Sequence, residues 1–276
     1  MTTRAAIAEA AGLDLPATTF EYGDREVMLY AVGVGATELE FVYERGLKVL
    51  PTFAVIPGFP ALMGLTGAVE VNPVMILHGE QRIVLNKPIP TQGKLTTKGR
   101  VSDVFDKGKG ALVVVEAETS DENGELLFVN TAGIFVRGAG GFGGERGPEA
   151  GNKTPERPPD KTVEMPTLPI QAMIYRLSGD RNPLHVDPAF AKMAGYDTPI
   201  LHGLCTMGHA GRAVLQSYCD NDPARMTGIE VRFSGVVFPG DKIITEMWDE
   251  GGGRIVFQAK TERGDLVISN AAASVT

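Results

Sequence analysis

The chain has 276 residues, with 26 Lys+Arg against 34 Asp+Glu, a net charge of −8 and 43% hydrophobic residues. At about 150 residues per domain, this length holds two domains or one large one, with core enough to fold without disulfides. The acidic balance argues against non-specific DNA or RNA binding, and Cys205 and Cys219 are too few for a disulfide framework or a four-cysteine zinc site.

The opening stretch, MTTRAAIAEAAGLDLP, lacks the continuous apolar core of a secretory signal. The sequence has no run of 18 or more apolar residues, so no membrane span is expected. The final AASVT is not a peroxisomal tripeptide, and a cytoplasmic location is expected. Thirty-four Gly and 18 Pro favour a turn-rich fold over a helix bundle.

In the first half, FAVIPGFPALMGLTG is apolar but carries Pro57 and Pro60. An interior proline removes a helix hydrogen bond and clashes with the preceding turn, so a short or broken helix is expected. KGALVVVEAE and NGELLFVNTAGIFV then alternate apolar and polar residues as strands do, with Gly124 at the turn between them. Residues 138–162 lose all apolar periodicity to Gly, Pro and charge, and mark a linker.

In the second half, Ile170 to Leu177 has the pattern of a helix stopped at Gly179. Asp187-Pro188 is an N-cap and first-turn pair opening a short helix that stops at Gly195. Leu201 to Ser217 has helical spacing and no proline. GRIVFQAKTE and RGDLVISNAAASV follow and repeat the first-half strands: Gly124 falls on Gly264, Leu126 on Leu266, Asn130 on Asn270 and Ala132 on Ala272, an offset of 140 residues. A repeat this long indicates a duplicated domain. The expected organisation is an N-terminal unit (1–137), a linker (138–162) and a C-terminal unit (163–276). Each unit is α+β, an antiparallel sheet wrapped around a central helix, and the two can share one continuous sheet.

The densest polar signal is YRLSGDRNPLHVDPAFAKMAGYDTPILHGLCTMG, from Tyr175 to Gly208. Asp180 and His185 lie on one short loop restrained by Pro183. A carboxylate and an imidazole held this way can activate a water as general acid and base. Gly203, near a helix N-terminus, offers a backbone N–H to a developing oxyanion. Spacing alone leaves a second reading, in which Asp180 caps a turn and His185 is a satisfied loop histidine.

This stretch resembles the hydratase 2 signature of the MaoC-like family. FEYGDREVMLYAVGVGA, VLPTFAVI, LHGEQ, VFDKGKG, VRGAGGFGG, PILHGLC, DNDPARM and TEMW resemble further family segments in order, from about Thr19 to the C-terminus. The resemblance implies a double hotdog fold. It also implies (R)-specific hydration of trans-2-enoyl-CoA to (3R)-3-hydroxyacyl-CoA, without metal or other cofactor. Asp180 and His185 match the family's catalytic pair, Asn182 the asparagine that holds water and substrate, and Gly203 the donor to the thioester oxygen. His78, Gly79, Lys107 and Phe233 match substrate-contacting positions, and Arg181, Pro183 and Leu184, which lie between the pair, are expected to bind substrate as well. Glu44 matches a glutamate needed for activity. For Phe233 and Glu44 a packing role stands beside direct contact. An acyl-CoA partner and a homodimer are implied. Family members in peroxisomes are often fused to a dehydrogenase, so a stand-alone bacterial version is expected here.

Other signals weigh less. Gly138 to Gly143 matches G-x-G-x-x-G but leads into no helix, against dinucleotide binding. His202, Cys205 and His209 share one helix face, which core packing explains better than metal. A dehydratase of an elongation pathway, a hotdog thioesterase and a non-catalytic acyl-CoA module are the rival functions. CoA phosphates require local cations, and Lys107, Arg181, Lys192 and Arg212 are the candidates. A broken first helix would open an apolar tunnel lined by Phe53, Ile56, Phe59, Leu62 and Met63, or else mark a looser-packed half.

Overall fold

Strand-period alternation yields ten strands among the described residues, which in this computed structural model are 3–69, 71–72 and 75–276. They are β1 (Thr18–Tyr22), β2 (Ile76–Leu85), β3 (Gly93–Asp106), β4 (Gly110–Ser120), β5 (Leu126–Arg137), β6 (Lys161–Pro166), β7 (Met226–Phe233), β8 (Lys242–Asp249), β9 (Arg254–Thr261) and β10 (Leu266–Val275). All join one antiparallel sheet in the order β1-β3-β4-β5-β2-β7-β10-β9-β8-β6. Read outward from the β2–β7 seam, the two halves have the same order, so the repeat is topological as well as sequential. The aligned turn glycines behave alike: Gly124 and Gly264 have φ of +79° and +87°. Each donates its N–H back across the turn, to Asp121 O at 3.0 Å and to Thr261 O at 2.9 Å.

Seven α-helices accompany the described sheet: α1 (Thr3–Ala8), α2 (Asp24–Gly33), α3 (Leu39–Val42), α4 (Val55–Ala68), α5 (Gln171–Tyr175), α6 (Pro188–Met193) and α7 (Gly203–Tyr218). The long helices α4 and α7 occupy equivalent places in the two halves. Helix α7 is buried from Leu204 through Leu215. The segment after α2 packs on it closely: a Cβ on Gly208 would lie 2.4 Å from Val34 Cγ1.

Helix α4 corrects the expectation of a broken element, for it runs 14 residues. Pro57 is its third residue, where the N–H has no intrahelical acceptor in any case. Only Pro60 forfeits a bond within the helix. Side chains of the sheet hold the entry turn: Asn130 Nδ2 donates to Ala54 O at 3.0 Å, and Thr97 Oγ1 donates to Pro57 O at 3.2 Å. The sequence also understated this region's apolar length. Pro51–Ala68 reaches a mean hydropathy of 1.2 over 18 residues, enough by composition and length to cross a membrane, but 61% of it is buried inside the fold.

The Gly/Pro-rich segment is an anchored strap, and its irregular course ends at β6, which begins at Lys161. Asp106 accepts N–H bonds from Gly108, Gly141 and Gly143, each at 2.8 Å. Gly140 packs so near Gly110 O that a Cβ would lie 2.4 Å away. The glycine run therefore cradles a protein carboxylate rather than a phosphate. These N–H bonds, that of Gly141 first, hold the Asp106 carboxyl down to about 2. Farther along, Trp248 Nε1 donates to Arg157 O at 2.8 Å.

Substituting Gly208→Ala should lower the urea midpoint of unfolding by an amount corresponding to about 1–3 kcal/mol, because Val34 must move. Gly67→Ala, where a Cβ meets nothing within 4 Å, is the control and should be neutral or stabilising by about 0.5–1 kcal/mol.

Candidate active site

The loop between α5 and α6 is built from nested turns. Gly179 ends the helical segment with φ of +139°. Asp180 Oδ1 accepts from Asn182 N at 3.1 Å, and Asn182 Oδ1 accepts from Leu184 N at 3.0 Å, capping a short 3-10 turn over Pro183–His185. Side chains that bond their own backbone two residues on favour such turns over helix. The downstream Asp187 cap forms as expected, accepting from Ala189 N at 2.8 Å.

Two backbone carbonyls set the imidazoles. His185 Nδ1 donates to Ile200 O at 2.8 Å, which leaves the Nε2 lone pair free in the neutral ring. His202 Nε2 donates to Asp180 O at 3.1 Å. The His185 and His202 rings stack with centroids 3.7 Å apart. Gly203 begins α7, so helical geometry gives its N–H no acceptor within the helix. A side chain there would crowd the wall: a Cβ would lie 3.2 Å from the Phe233 ring. Phe233 in turn meets His78 edge-on, at 5.4 Å and 78°.

Burial pushes the Asp180 carboxyl up, and His185 nearby pulls it back. Burial pushes the His185 imidazole down, opposed by Asp180. Desolvation thus drives both toward the neutral form, and each restores some charge to the other. Burial also lowers His78 to about 4, His209 to about 4 and His202 to about 2.

A single cavity of about 1650 Å³ gathers most of the sequence candidates. Asp180, Arg181, Asn182, Pro183, Leu184, His185 and Gly203 line it from the second half. His78, Gly79 and Lys107 line it from the first, and Phe233 from β7. Glu44 is not brought there; it is exposed in the turn after α3, which leaves it no contact with the cavity. Two proposed phosphate partners are also corrected. Arg212 is buried and clamped on both Glu38 oxygens at 2.9 Å, and exposed Lys192 does not line the cavity. Of the five tunnel residues, Phe59, Leu62 and Met63 line the cavity, while Phe53 and Ile56 are buried in the core.

The sequence reading missed Arg82, Arg137, Arg146 and Arg232, which line the same cavity. At the seam, Glu80 pairs in register with Arg232 and Arg82 with Glu230, and each ion pair measures 3.8 Å. Their period-two spacing on two strands was the available signal, but only the seam places them at one mouth. Arg146 through Asn152 belong to the strap, which forms one wall.

Asp180, His185 and His202 bring donor atoms within 4.8 Å of one another. The two rings lie nearly parallel, at 27°, so their in-plane lone pairs run side by side rather than converging on one ion. His185 Nδ1 and His202 Nε2 are already bonded to carbonyls. On the helix face of His202, Cys205 and His209 noted in the sequence, His209 Nδ1 donates to Cys205 O at 2.9 Å inside the core.

The doubled helix-in-sheet fold is that of the double hotdog class, and one cavity in it takes in Asp180, His185 and Gly203 at the start of α7. The family described as "MaoC like domain" matches residues 150–271, and "MFE-2 hydratase 2 N-terminal domain" matches residues 20–138. The chain belongs to the hydratase 2 family of MaoC-like proteins. It is 44% identical to "Probable enoyl-CoA hydratase 2" of Dictyostelium discoideum, across 91% of this chain and 90% of that protein. It is 46% identical to "Peroxisomal hydratase-dehydrogenase-epimerase" of Neurospora crassa, across 98% of this chain, and spans only 31% of that protein's length. The crystal structure of a MaoC-like dehydratase from Phytophthora capsici superposes with a TM-score of 0.89 at 36% identity, covering 98% of this chain and 97% of that one.

All four histidines of the chain have lowered pKa values. Between the folded values and about 6.5 the unfolded chain binds more protons, so this stability is complete above pH 6.5 and lost as pH falls. Unfolding free energies from urea titrations should therefore drop from pH 7.5 to pH 5, by at most about 1.4 kcal/mol per pH unit for each histidine. His209→Gln, outside the cavity, should make that dependence shallower.

Proposed function

We propose that the chain is an (R)-specific enoyl-CoA hydratase that adds water syn to trans-2-enoyl-CoA and runs the reverse dehydration with the same groups. The observation that carries this is the His185 tautomer. With Nδ1–H bonded to Ile200 O, Nε2 is the atom left to take a proton from a water shared with Asp180. The thioester oxygen accepts from the Gly203 N–H, which makes the β-carbon electrophilic and stabilises the enolate. The water oxygen bonds to the β-carbon as its proton passes to the pair. The enolate collapses as the pair returns a proton to the α-carbon from the same side. No metal or other cofactor enters this sequence. Asn182, whose Oδ1 caps the turn, has Nδ2 to orient water or substrate.

Lys107, Arg181, Arg137 and Arg146 supply cations for the CoA phosphates despite the net charge of −8, while Arg82 and Arg232 are paired to Glu230 and Glu80 at the seam. Phe59, Leu62 and Met63 of α4 offer an apolar wall to the acyl chain. The names of the relatives support a place in fatty-acid degradation. A cytoplasmic homodimer is part of the proposal, and Ile170, Met173 and Leu177, all exposed, give the α5 segment an apolar face for the second copy.

Asp180→Asn and His185→Gln should each lower the rate of enoyl absorbance loss on crotonyl-CoA by about 10²–10⁴-fold while preserving the circular dichroism spectrum. Wild-type rates in either folded variant, or release of free thiol in place of enoyl loss, would exclude the assignment. Across chain lengths, activity should extend beyond four carbons, and Met63→Trp should reduce it selectively on the longer substrates.

A further inference from the structure

His202 joins three parts of the site. Its Nε2–H reaches the Asp180 carbonyl at 3.1 Å. Its ring covers the His185 ring, with centroids 3.7 Å apart and planes 27° apart. Its own carbonyl accepts the first bond of α7, from Thr206 N at 3.1 Å, and the residue that follows it is Gly203. We propose that His202 is a positioning residue that holds the Asp180 loop by its hydrogen bond, shields one face of His185 by its ring, and thereby fixes the pair relative to the Gly203 N–H. The proposal rests on the hydratase reading above and adds to it a residue that touches neither substrate nor water.

The surroundings suit this role. Asp180 and His185 face His202 from the loop, Arg176 from the turn after α5, and Tyr175 from α5 with ring centroids 4.8 Å apart. Burial first, then His185 and Arg176, keep the His202 ring neutral. When His185 takes a proton, no second imidazolium lies against it, and a stacked neutral ring excludes water from one face. His202 Nδ1 is buried with no hydrogen-bond partner among the described residues. Such an orphan is unfavourable for stability, so packing alone does not account for histidine here.

The two contacts separate by substitution in the full chain. His202→Phe keeps a stacked ring and removes the donor; kcat on crotonyl-CoA should fall about 10- to 100-fold with KM within about threefold of wild type. Its acidic limb of kcat/KM should stay in place. His202→Gln keeps an N–H donor and removes the ring, so water reaches His185 and the acidic limb should move up toward about 6.5. Folded variants with wild-type kcat and unmoved pH profiles overturn the proposal, as does a loss confined to KM. Should both variants fail to fold, ring ¹⁵N shifts of the wild-type protein decide. A neutral, Nε2-protonated His202 from pH 8 to pH 5 supports it, and a charged or Nδ1-protonated ring overturns it. If Asp180→Asn is itself fully active, the hydratase reading fails; if that variant is inactive while both His202 variants behave as wild type, only the positioning role fails.

Discussion

The antiparallel pairing of β2 with β7 is the constraint on which the rest of the structure depends. Five strands from each half meet there, and the two sheets become one. Without that seam each half would present an unpaired sheet edge. With it, His78 of the first half meets Phe233 of the second, and Phe233 closes on Gly203. The cavity is therefore a property of the doubled unit. Asp180 and His185 come to it from one half and much of its apolar wall from the other.

Electrostatics within that cavity follow from burial. Taking titratable groups out of water favours their neutral forms, and main-chain carbonyls then choose among tautomers. Ile200 O selects one nitrogen of His185, and Asp180 O the opposite nitrogen of His202. Neither selection uses a charged partner. The result is a pair of stacked rings held through opposite nitrogens, Nδ1 of His185 and Nε2 of His202. Asp106 shows the contrary case, a carboxylate held charged by main-chain N–H groups, and it serves the strap instead of chemistry.

The halves diverged by using equivalent positions differently. Asn130 is buried and ties β5 to the entry of α4. Its counterpart Asn270 sits at a break in strand register with φ of +49° and donates to Gly151 O of the strap at 2.7 Å. One asparagine thus closes a helix onto its sheet, and the other fastens the cavity wall. The strap itself crosses from one half to the other and is pinned near its start by Asp106 and past its middle by Asn152, whose Nδ2 donates to Glu230 Oε1 at 2.6 Å.

The duplication, the α+β pattern, the turn glycines, the Asp187 cap and the Asp180–His185 loop were all legible in the sequence, because each rests on local spacing. Turn chemistry, strand alternation and capping act over a few residues, and a repeat shows itself at any range. What failed in the sequence were judgements that needed partners distant in the chain. Prolines argued against α4, but Asn130 and Thr97 hold its first turns from the sheet. Arg212 resembled a free cation until Glu38 closed on it, and Glu44 matched a motif yet folds away from the cavity. The polar linker reads as a spacer, and residues 146–152 of it form a wall of the cavity. The sequence by itself determined which side chains could carry chemistry. Only the tertiary structure decided which of them lose water together, because desolvation, tautomer and pairing depend on neighbours that the chain order keeps far apart.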